Sequence, residues 1–355
     1  MKLLHTADWH LGKTLKGAPL IDDQKFILDQ IFDIIDREKI DALLIAGDVY
    51  DRAVPPIDAV DLLNDTLNRL AEKNLPTLII AGNHDSATRL NFGSKLFESR
   101  NIHIAAKSDE PAHIVLRDAF GEIYFTLLPF AEPDALAATI EQLNIPRGRN
   151  VAVAHAFLTG GIESESERKF VGGSANVDAK IFSDFDYVAL GHLHRPQKIS
   201  AENIRYAGSP LKYSFDEANH QKSVTIVELD AQGFVDAKKI PLTPRRDVRI
   251  VTGTFAELLR QSRTESYVQI ILTDDAYIYD TELLRDAFPN FLEVKRKNHL
   301  QSYDDEPAQS FRREDGISEQ FAKFFESVTN EPLTDEERTT FENFLRELER
   351  AEREA

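Results

Sequence analysis

The 355-residue chain has no cysteine, one methionine and one tryptophan. Without thiols there are no disulfides and no thiolate-held zinc, so any metal must be held by nitrogen and oxygen. No apolar run approaches the ~20 residues needed to span a bilayer. The opening "MKLLHTAD" passes directly into an apolar strand pattern, without the apolar segment and small-residue cleavage site of a secretory leader. No membrane partner and a cytoplasmic location are therefore expected. Positive charge is also scarce: 42 Lys and Arg stand against 60 Asp and Glu, for a net charge of −18. Proteins that hold nucleic acid by their overall field are basic. If DNA is the substrate here, bound cations, a local basic patch or a partner must supply the attraction.

Apolar residues make up 42% of the chain, enough for packed cores in two or three domains. The first half alternates short apolar runs with helical periodicity. "KLLHTA", "DALLIAG" and "LPTLIIAG" read as strands. Ile27, Ile31, Ile34 and Ile35 mark one face of a helix between the first two, and Leu63, Leu67 and Leu70 do so between the second and third. This order implies a parallel sheet with right-handed crossovers. "IYFTLLPF", "NVAVAHAF", "DYVALGH", "IRYAGS" and "SVTIVELD" follow with fewer helices, and are expected to form a second sheet packed on the first. Prolines and arginines in residues 241–250 mark a boundary. The expected domains are 1–243, a small β-α-β-α-β domain over 244–298, a polar linker over 299–315 and a helical segment over 316–355. In the last, Ile317, Phe321, Phe324, Phe325 and Val328 share one helical face. A capping box of Thr334 and Glu337 opens a second helix, striped by Phe341, Phe344, Leu345 and Leu348.

Five of the apolar strands stop at metal-competent side chains. The first is followed by Asp8 and His10, the second by Asp48, and the third by Asn83, His84 and Asp85. "VAVA" is followed by His155, and "YVALG" by His192 and His194. Open α/β sheets bind ligands at the carboxyl ends of their strands, so these residues converge on one rim. Turns explain isolated Asp and Asn residues, but turns do not require so many histidines. The set is too large for one tetrahedral zinc and suits two divalent ions bridged by a carboxylate. Imidazole and oxygen ligands without sulfur favour Mn, Fe, Co or Zn over Ca or Mg. Paired metals clamp the attacking and leaving oxygens of a phosphoryl displacement, which points to phosphate-ester hydrolysis.

Gly12-Lys13-Thr14 also fits the end of a nucleotide loop. Such a loop needs a helix directly after it, so that backbone N–H groups face phosphate. Gly17 and Pro19 break any helix there, and Ala7 occupies the place of the first glycine. The metal reading is preferred.

"HTADWHLG", "GDVYDR", "AGNHDS" and "GHLHRPQ" together resemble the calcineurin-like metallophosphoesterases across roughly the first 240 residues. "GGIESESERKFVGG" and "YAGSPLKYSFDE" resemble its DNA break-repair nucleases more narrowly. The resemblance implies an α/β fold, a four-layer α/β/β/α sandwich with a small capping domain and a C-terminal helical pair. It assigns Asp8, His10, Asp48 and His194 to one metal, and Asp48, Asn83, His155 and His192 to the other, with Mn2+ as the usual ion. His84 is then catalytic, aiding the leaving oxygen as acid or charge-stabilising donor, with Asp85 orienting it. Asp51 is expected to support the ligands. DNA contacts are expected from Arg52, and from Arg245, Arg246, Arg249, Lys295, Arg296 and Lys297 in the capping domain, with Arg260 and Arg263 adding to its basic face.

The implied activity is cleavage of DNA phosphodiesters at ends and hairpins, as exonuclease and endonuclease, in repair and recombination near the nucleoid. The implied partners are an SbcC-type ATPase, bound through the C-terminal helices, and a second copy of the chain, contacted near Ile57 and Val60. A phosphoprotein or small-molecule phosphatase of the same fold, and a non-catalytic scaffold for the ATPase, are the rival readings.

Overall fold

The computed structural model describes residues 1–167, 176–274, 280–297, 317–329 and 332–354. The chain opens with β1 (Lys2–Thr6), β2 (Thr14–Leu15), β3 (Ala18–Pro19), α1 (Ile21–Glu38), β4 (Ala42–Ala46), α2 (Ile57–Lys73) and β5 (Thr77–Ile80). Short helices α3 (Ala87–Leu90) and α4 (Ser94–Phe97) lead to β6 (Ile102–Ala105), β7 (Ala112–Asp118), β8 (Gly121–Leu128), α5 (Pro133–Gln142) and β9 (Arg149–His155). Next come β10 (Tyr187–Gly191), β11 (Gln197–Lys198), β12 (Ile204–Tyr206), β13 (Ser223–Asp230) and β14 (Gly233–Pro241). The remainder comprises β15 (Val248–Gly253), α6 (Phe255–Leu258), β16 (Tyr267–Leu272), β17 (Phe291–Arg296), α7 (Ile317–Thr329) and α8 (Asp335–Glu354).

Two compact units are distinguished. The larger comprises Met1–Val251, Leu258–Ile270 and Asp280–Glu293; the smaller comprises Thr252–Glu257, Ile271–Tyr279 and Val294–Ala355.

The larger unit is built on two six-stranded sheets, ordered β14-β13-β1-β4-β5-β6 and β11-β12-β10-β9-β8-β7. The alternation of side chains along a strand divides its apolar residues between two layers. Leu3, Leu44, Leu78 and Ile80 of the first sheet meet Phe125, Leu127, Val151 and Val153 of the second in one buried core. On the other face of the first sheet, Leu4, Leu43, Ile45 and Ile79 pack with Ile27, Ile31, Leu63 and Leu70 of α1 and α2. On the outside of the second sheet, Ala152, Val188 and Leu190 pack with Leu136 and Ile140 of α5. Helix, sheet, sheet and helix therefore form the expected four layers.

One strand lies elsewhere than expected. Ser223–Asp230 joins the first sheet, antiparallel to β1, with Leu3 opposite Val227. The other edge of β1 is taken by β4, so β13 pairs the edge that the parallel succession leaves open, and β14 extends it as a hairpin. After Thr14 the chain forms the two-residue hairpin β2–β3 rather than a helix, so the nucleotide-loop geometry is absent there. β15, β16 and β17 form a separate three-stranded sheet.

In the smaller unit, Phe321 of α7 stacks on Phe341 of α8 with ring centroids 3.7 Å apart. Thr334 and Glu337 close the expected capping box: the Thr334 N–H donates to Glu337 Oε2 at 2.9 Å and the Glu337 N–H to Thr334 Oγ1 at 3.3 Å. The side chains of Ile317, Phe324, Val328 and Leu348, the linker 299–315 and Gly316 lie outside the described residues. Among the described residues no helix is long and apolar enough to cross a membrane.

His5 is buried, with Nδ1 2.9 Å from the Tyr187 hydroxyl and Nε2 3.1 Å from the Leu190 carbonyl, tying β1 to β10. Burial lowers its pKa to about 3. The unfolded chain takes up this proton near pH 6.5 while the folded chain does not. The stability contributed by neutral His5 is therefore complete above pH 6.5 and lost as pH falls toward 3, at about 1.4 kcal/mol per unit. Urea unfolding at pH 7.5, 6 and 5 should show the advantage of wild type over His5→Gln shrinking with acidity; a constant difference would contradict this role.

Candidate metal centre

The carboxyl ends of β1, β4 and β5 in one sheet and of β9 and β10 in the other bring the sequence-selected side chains together. Asp8, His10, Asp48, His84, His155, His192 and His194 are all buried. His10 Nε2 lies 3.0 Å from His194 Nε2. His155 Nε2 and His192 Nδ1 lie 3.0 and 3.1 Å from Asn83 Oδ1. Asp48 joins the two groups, its Oδ2 being 3.5 Å from both His10 Nε2 and His155 Nε2. Asp8, Asp48 and His155 form one cluster of closely spaced ligand atoms, and His10, Asp48 and His84 form another, again sharing Asp48.

The local backbone is bent to achieve this. Asp8, His10, Asp48 and His192 have φ of 54°, 45°, 49° and 106°. Left-handed conformations at non-glycine residues cost on the order of 1 kcal/mol each and gather at functional sites. Gly191 serves a different need: a Cβ there would run into the Ala46 carbonyl, so only glycine allows the ends of β10 and β4 to approach.

The donor set fits divalent cations. Asp8 Oδ2 is buried without a hydrogen-bond partner. His194 donates its Nδ1–H away from the site to Ser166 Oγ at 2.7 Å, leaving the Nε2 lone pair facing His10 Nε2. Burial drives the Asp8 carboxyl well above its ordinary pKa and the His10 imidazole well below its own. Burial also opposes charge on Asp48 and His155, but their mutual attraction prevails, holding Asp48 well below the usual range and raising His155 to about 9. Cations between these groups would satisfy the buried Asp8 oxygen and take the facing imidazole nitrogens as ligands.

His84 Nδ1 donates to the Asp51 carbonyl at 2.7 Å, turning Nε2 toward Asp48 Oδ2, 4.0 Å away. The expectation that Asp85 orients the ring is corrected. Its carboxylate accepts N–H bonds from Val49, Tyr50 and Gly82 at 3.1, 2.9 and 2.9 Å. Three backbone donors engage both oxygens, so Asp85 locks the loops after β4 and β5 together. Burial and the charge of Asp48 raise its pKa to about 7. Asp51 takes an ion pair from Lys13 at 2.8 Å and lies 3.7 Å from His10 Nδ1.

Among the expected DNA contacts, the Arg246 Nε lies 3.3 Å from buried Asp23 and its guanidinium over the Tyr267 ring, tying the segment before β15 to α1. Arg52, Arg245 and Arg249 belong to the larger unit, as do the exposed Arg260 and Arg263, while Lys295, Arg296 and Lys297 belong to the smaller.

Four residues escaped the sequence reading. Glu217 and Lys222 form a buried ion pair at 2.5 Å, and Glu217 Oε1 lies 3.2 Å from His194 Nδ1. Glu167 Oε1 accepts the His194 backbone N–H at 2.5 Å. Gln24 donates to the His10 carbonyl at 2.7 Å. Glu167 and Glu217 stand within the two subfamily-like segments, which was the available signal.

The calcineurin-like phosphoesterase family model matches residues 1–196, and a C-terminal domain model described as that of a type 5 capsule protein repressor matches 244–329. The chain belongs to the calcineurin-like phosphoesterases. Within that class it falls in the family of the SbcD proteins, the D component of the SbcCD nuclease. The SbcD of Staphylococcus saprophyticus is 34% identical, over 98% of both chains. The SbcD of Staphylococcus epidermidis is 34% identical, over 82% of this chain and 84% of its own. Among solved structures, YfcE, a phosphoesterase from E. coli, covers 68% of this chain and 100% of its own at 15% identity and TM-score 0.31. A dimetal phosphatase from Danio rerio covers 68% of this chain and 99% of its own at 12% identity and TM-score 0.42.

If Asp48 serves both halves of the centre, Asp48→Ala should abolish high-affinity binding of both ions. Metal content after equilibration with Mn2+ and desalting should fall from two per chain to near zero; one fully retained ion would contradict the shared role.

Proposed function

We propose that the chain is a two-metal DNA nuclease that hydrolyses phosphodiesters at ends and hairpins, with Mn2+ as the activating ion, in partnership with an SbcC-type ATPase. The observation that carries this reading is one buried carboxylate, Asp48, standing 3.5 Å from imidazoles of two separate histidine groups. Asp8, His10, Asp48 and His194 would hold one cation, and Asp48, Asn83, His155 and His192 the other. When bound, the cations supply positive charge to the phosphate oxygens and activate water.

The remaining work falls to the protein. Asp51 fixes the His84 ring through its carbonyl, which takes the Nδ1–H; with the ring carrying both protons, Nε2 can donate to the departing oxygen as acid or charge-stabilising group. Arg52, half exposed beside Asp51, is suited to a phosphate oxygen. Arg245, Arg246 and Arg249, and separately Lys295, Arg296 and Lys297, would give the 244–298 region its contacts to DNA, offsetting the overall negative charge.

Two assembly surfaces complete the proposal. Ile57 and Val60 on α2 are exposed, as are nearby Val54 and, on the α3–α4 segment, Phe92 and Leu96. Arg89 of α3 donates to the Ala53 carbonyl at 2.9 Å, fastening these segments together. This apolar surface suits a second copy of the chain. The paired helices α7 and α8 leave Phe344 exposed and are suited to docking on the coiled coil of the ATPase.

The decisive assay is Mn2+-dependent cleavage of a hairpin duplex, with and without the ATPase and ATP. His84→Gln should lower the rate by about 10²–10⁴-fold while both metals remain; unchanged cleavage would remove His84 from the chemistry. Preference for nitrophenyl phosphate over DNA would favour a phosphatase, and no hydrolysis in any arm a scaffold.

Truncation before Gly316 should abolish co-purification with the ATPase but spare metal-dependent activity on simple substrates. Retained co-purification would place the docking surface elsewhere.

A further inference from the structure

The histidines of the centre are not held alike. On the ring nitrogen turned away from the site, His155 meets the Ala46 carbonyl at 2.9 Å, and His10 has no hydrogen bond. His194 has a carboxylate there, Glu217 Oε1 at 3.2 Å, with Ser166 Oγ at 2.7 Å bridging the two. Its backbone is clamped too: the N–H donates to Glu167 at 2.5 Å and the carbonyl accepts from Lys222 Nζ at 2.8 Å.

Glu217 and Lys222 are themselves fully committed. The Lys222 ammonium, with three protons to give, donates to Glu217 Oε2, the His194 carbonyl and Ser209 Oγ at 2.5, 2.8 and 2.8 Å. Glu217 Oε1 also accepts from Ser166 and, at 3.0 Å, from Ser214. Both side chains are buried. A buried ion pair is a poor source of stability, because desolvation offsets most of the attraction. This one reaches both the ring and the backbone of a single candidate ligand. A carboxylate behind a metal-binding histidine fixes its tautomer and raises the basicity of the opposite nitrogen.

We propose that Glu217, held in place by Lys222, is a positioning residue that fixes and strengthens His194 as a ligand, making the Asp8–His10–Asp48–His194 half of the centre the tighter cation site. The inference rests on the two-metal reading above. It assigns to the segments around Ser166 and Glu217, which lie outside the strand-end motifs, control over the affinity of one metal rather than both.

The test is titration of the full-length chain with Mn2+, followed by electron paramagnetic resonance of free ion, and with Co2+, followed by its visible spectrum. The double variant Glu217→Gln/Lys222→Met removes both charges at similar volume and leaves no unpaired buried ion. It should weaken one site about 10–100-fold, leave the other within about twofold, and alter the spectrum of only the first-bound Co2+. Glu217→Gln alone, whose amide oxygen still accepts from His194, should shift the same site in the same direction by less, and provides the readout if the double variant does not fold. Unchanged affinities in a folded variant, or equal weakening of both sites, would overturn the proposal. Wild-type protein that binds fewer than two ions would instead sink the two-metal reading itself.

Discussion

Everything at the rim is organised by the burial of Asp48. The residue is 2% exposed, and its carboxylate touches both sheets' contributions: Oδ1 accepts the His84 N–H at 2.8 Å, and Oδ2 lies between His10 and His155. A carboxylate in such surroundings persists only if positive charge is brought to it. The attraction between Asp48 and His155 answers part of that need within the chain. Asp8 Oδ2 still lacks a partner, and two imidazole nitrogens face each other at 3.0 Å. Divalent cations would partner the Asp8 oxygen and take the two imidazole nitrogens as ligands together.

The cost of assembling it is spread through the fold. Parallel strands deliver their carboxyl ends to one rim, but the side chains reach it only because Asp8, His10, Asp48 and His192 adopt left-handed backbone and Gly191 lets β10 approach β4. The loops then have to be held. Asp85 gathers three backbone N–H groups, Gln24 anchors the His10 carbonyl, and Glu167 and Lys222 grip the backbone of His194. Such supports pre-organise ligands before any ion arrives. The α/β/β/α layering supplies the rigid base for all of them.

Much of this was legible from the chain alone. Apolar runs ending in Asp8, Asp48, Asn83, His155 and His192 encode the rim directly, because strand periodicity and strand ends are local properties. The helical faces carrying Ile27, Ile31 and Ile35, and Leu63, Leu67 and Leu70, were equally local. What failed was what depends on pairing at a distance. β13 looks like any late strand, and only the open edge of β1 places it in the first sheet. Asp85 stands next to His84 in sequence, yet its carboxylate turns to the loop after β4, since adjacent residues need not face each other. The ion pair of Arg246 with Asp23, more than two hundred residues earlier, is likewise invisible in the chain. Glu217 and Lys222 carry no local signature of burial; their role exists only where β10 and the segment ahead of β13 meet.

The central claim is that the two histidine groups hold two cations with Asp48 between them. A crystal of the chain grown with Mn2+ and measured for anomalous scattering at the manganese edge tests it most directly. The account predicts two peaks flanking Asp48, one bounded by His10 and His194 and the other by Asn83, His155 and His192. A single peak, or two peaks neither of which touches Asp48, would contradict it.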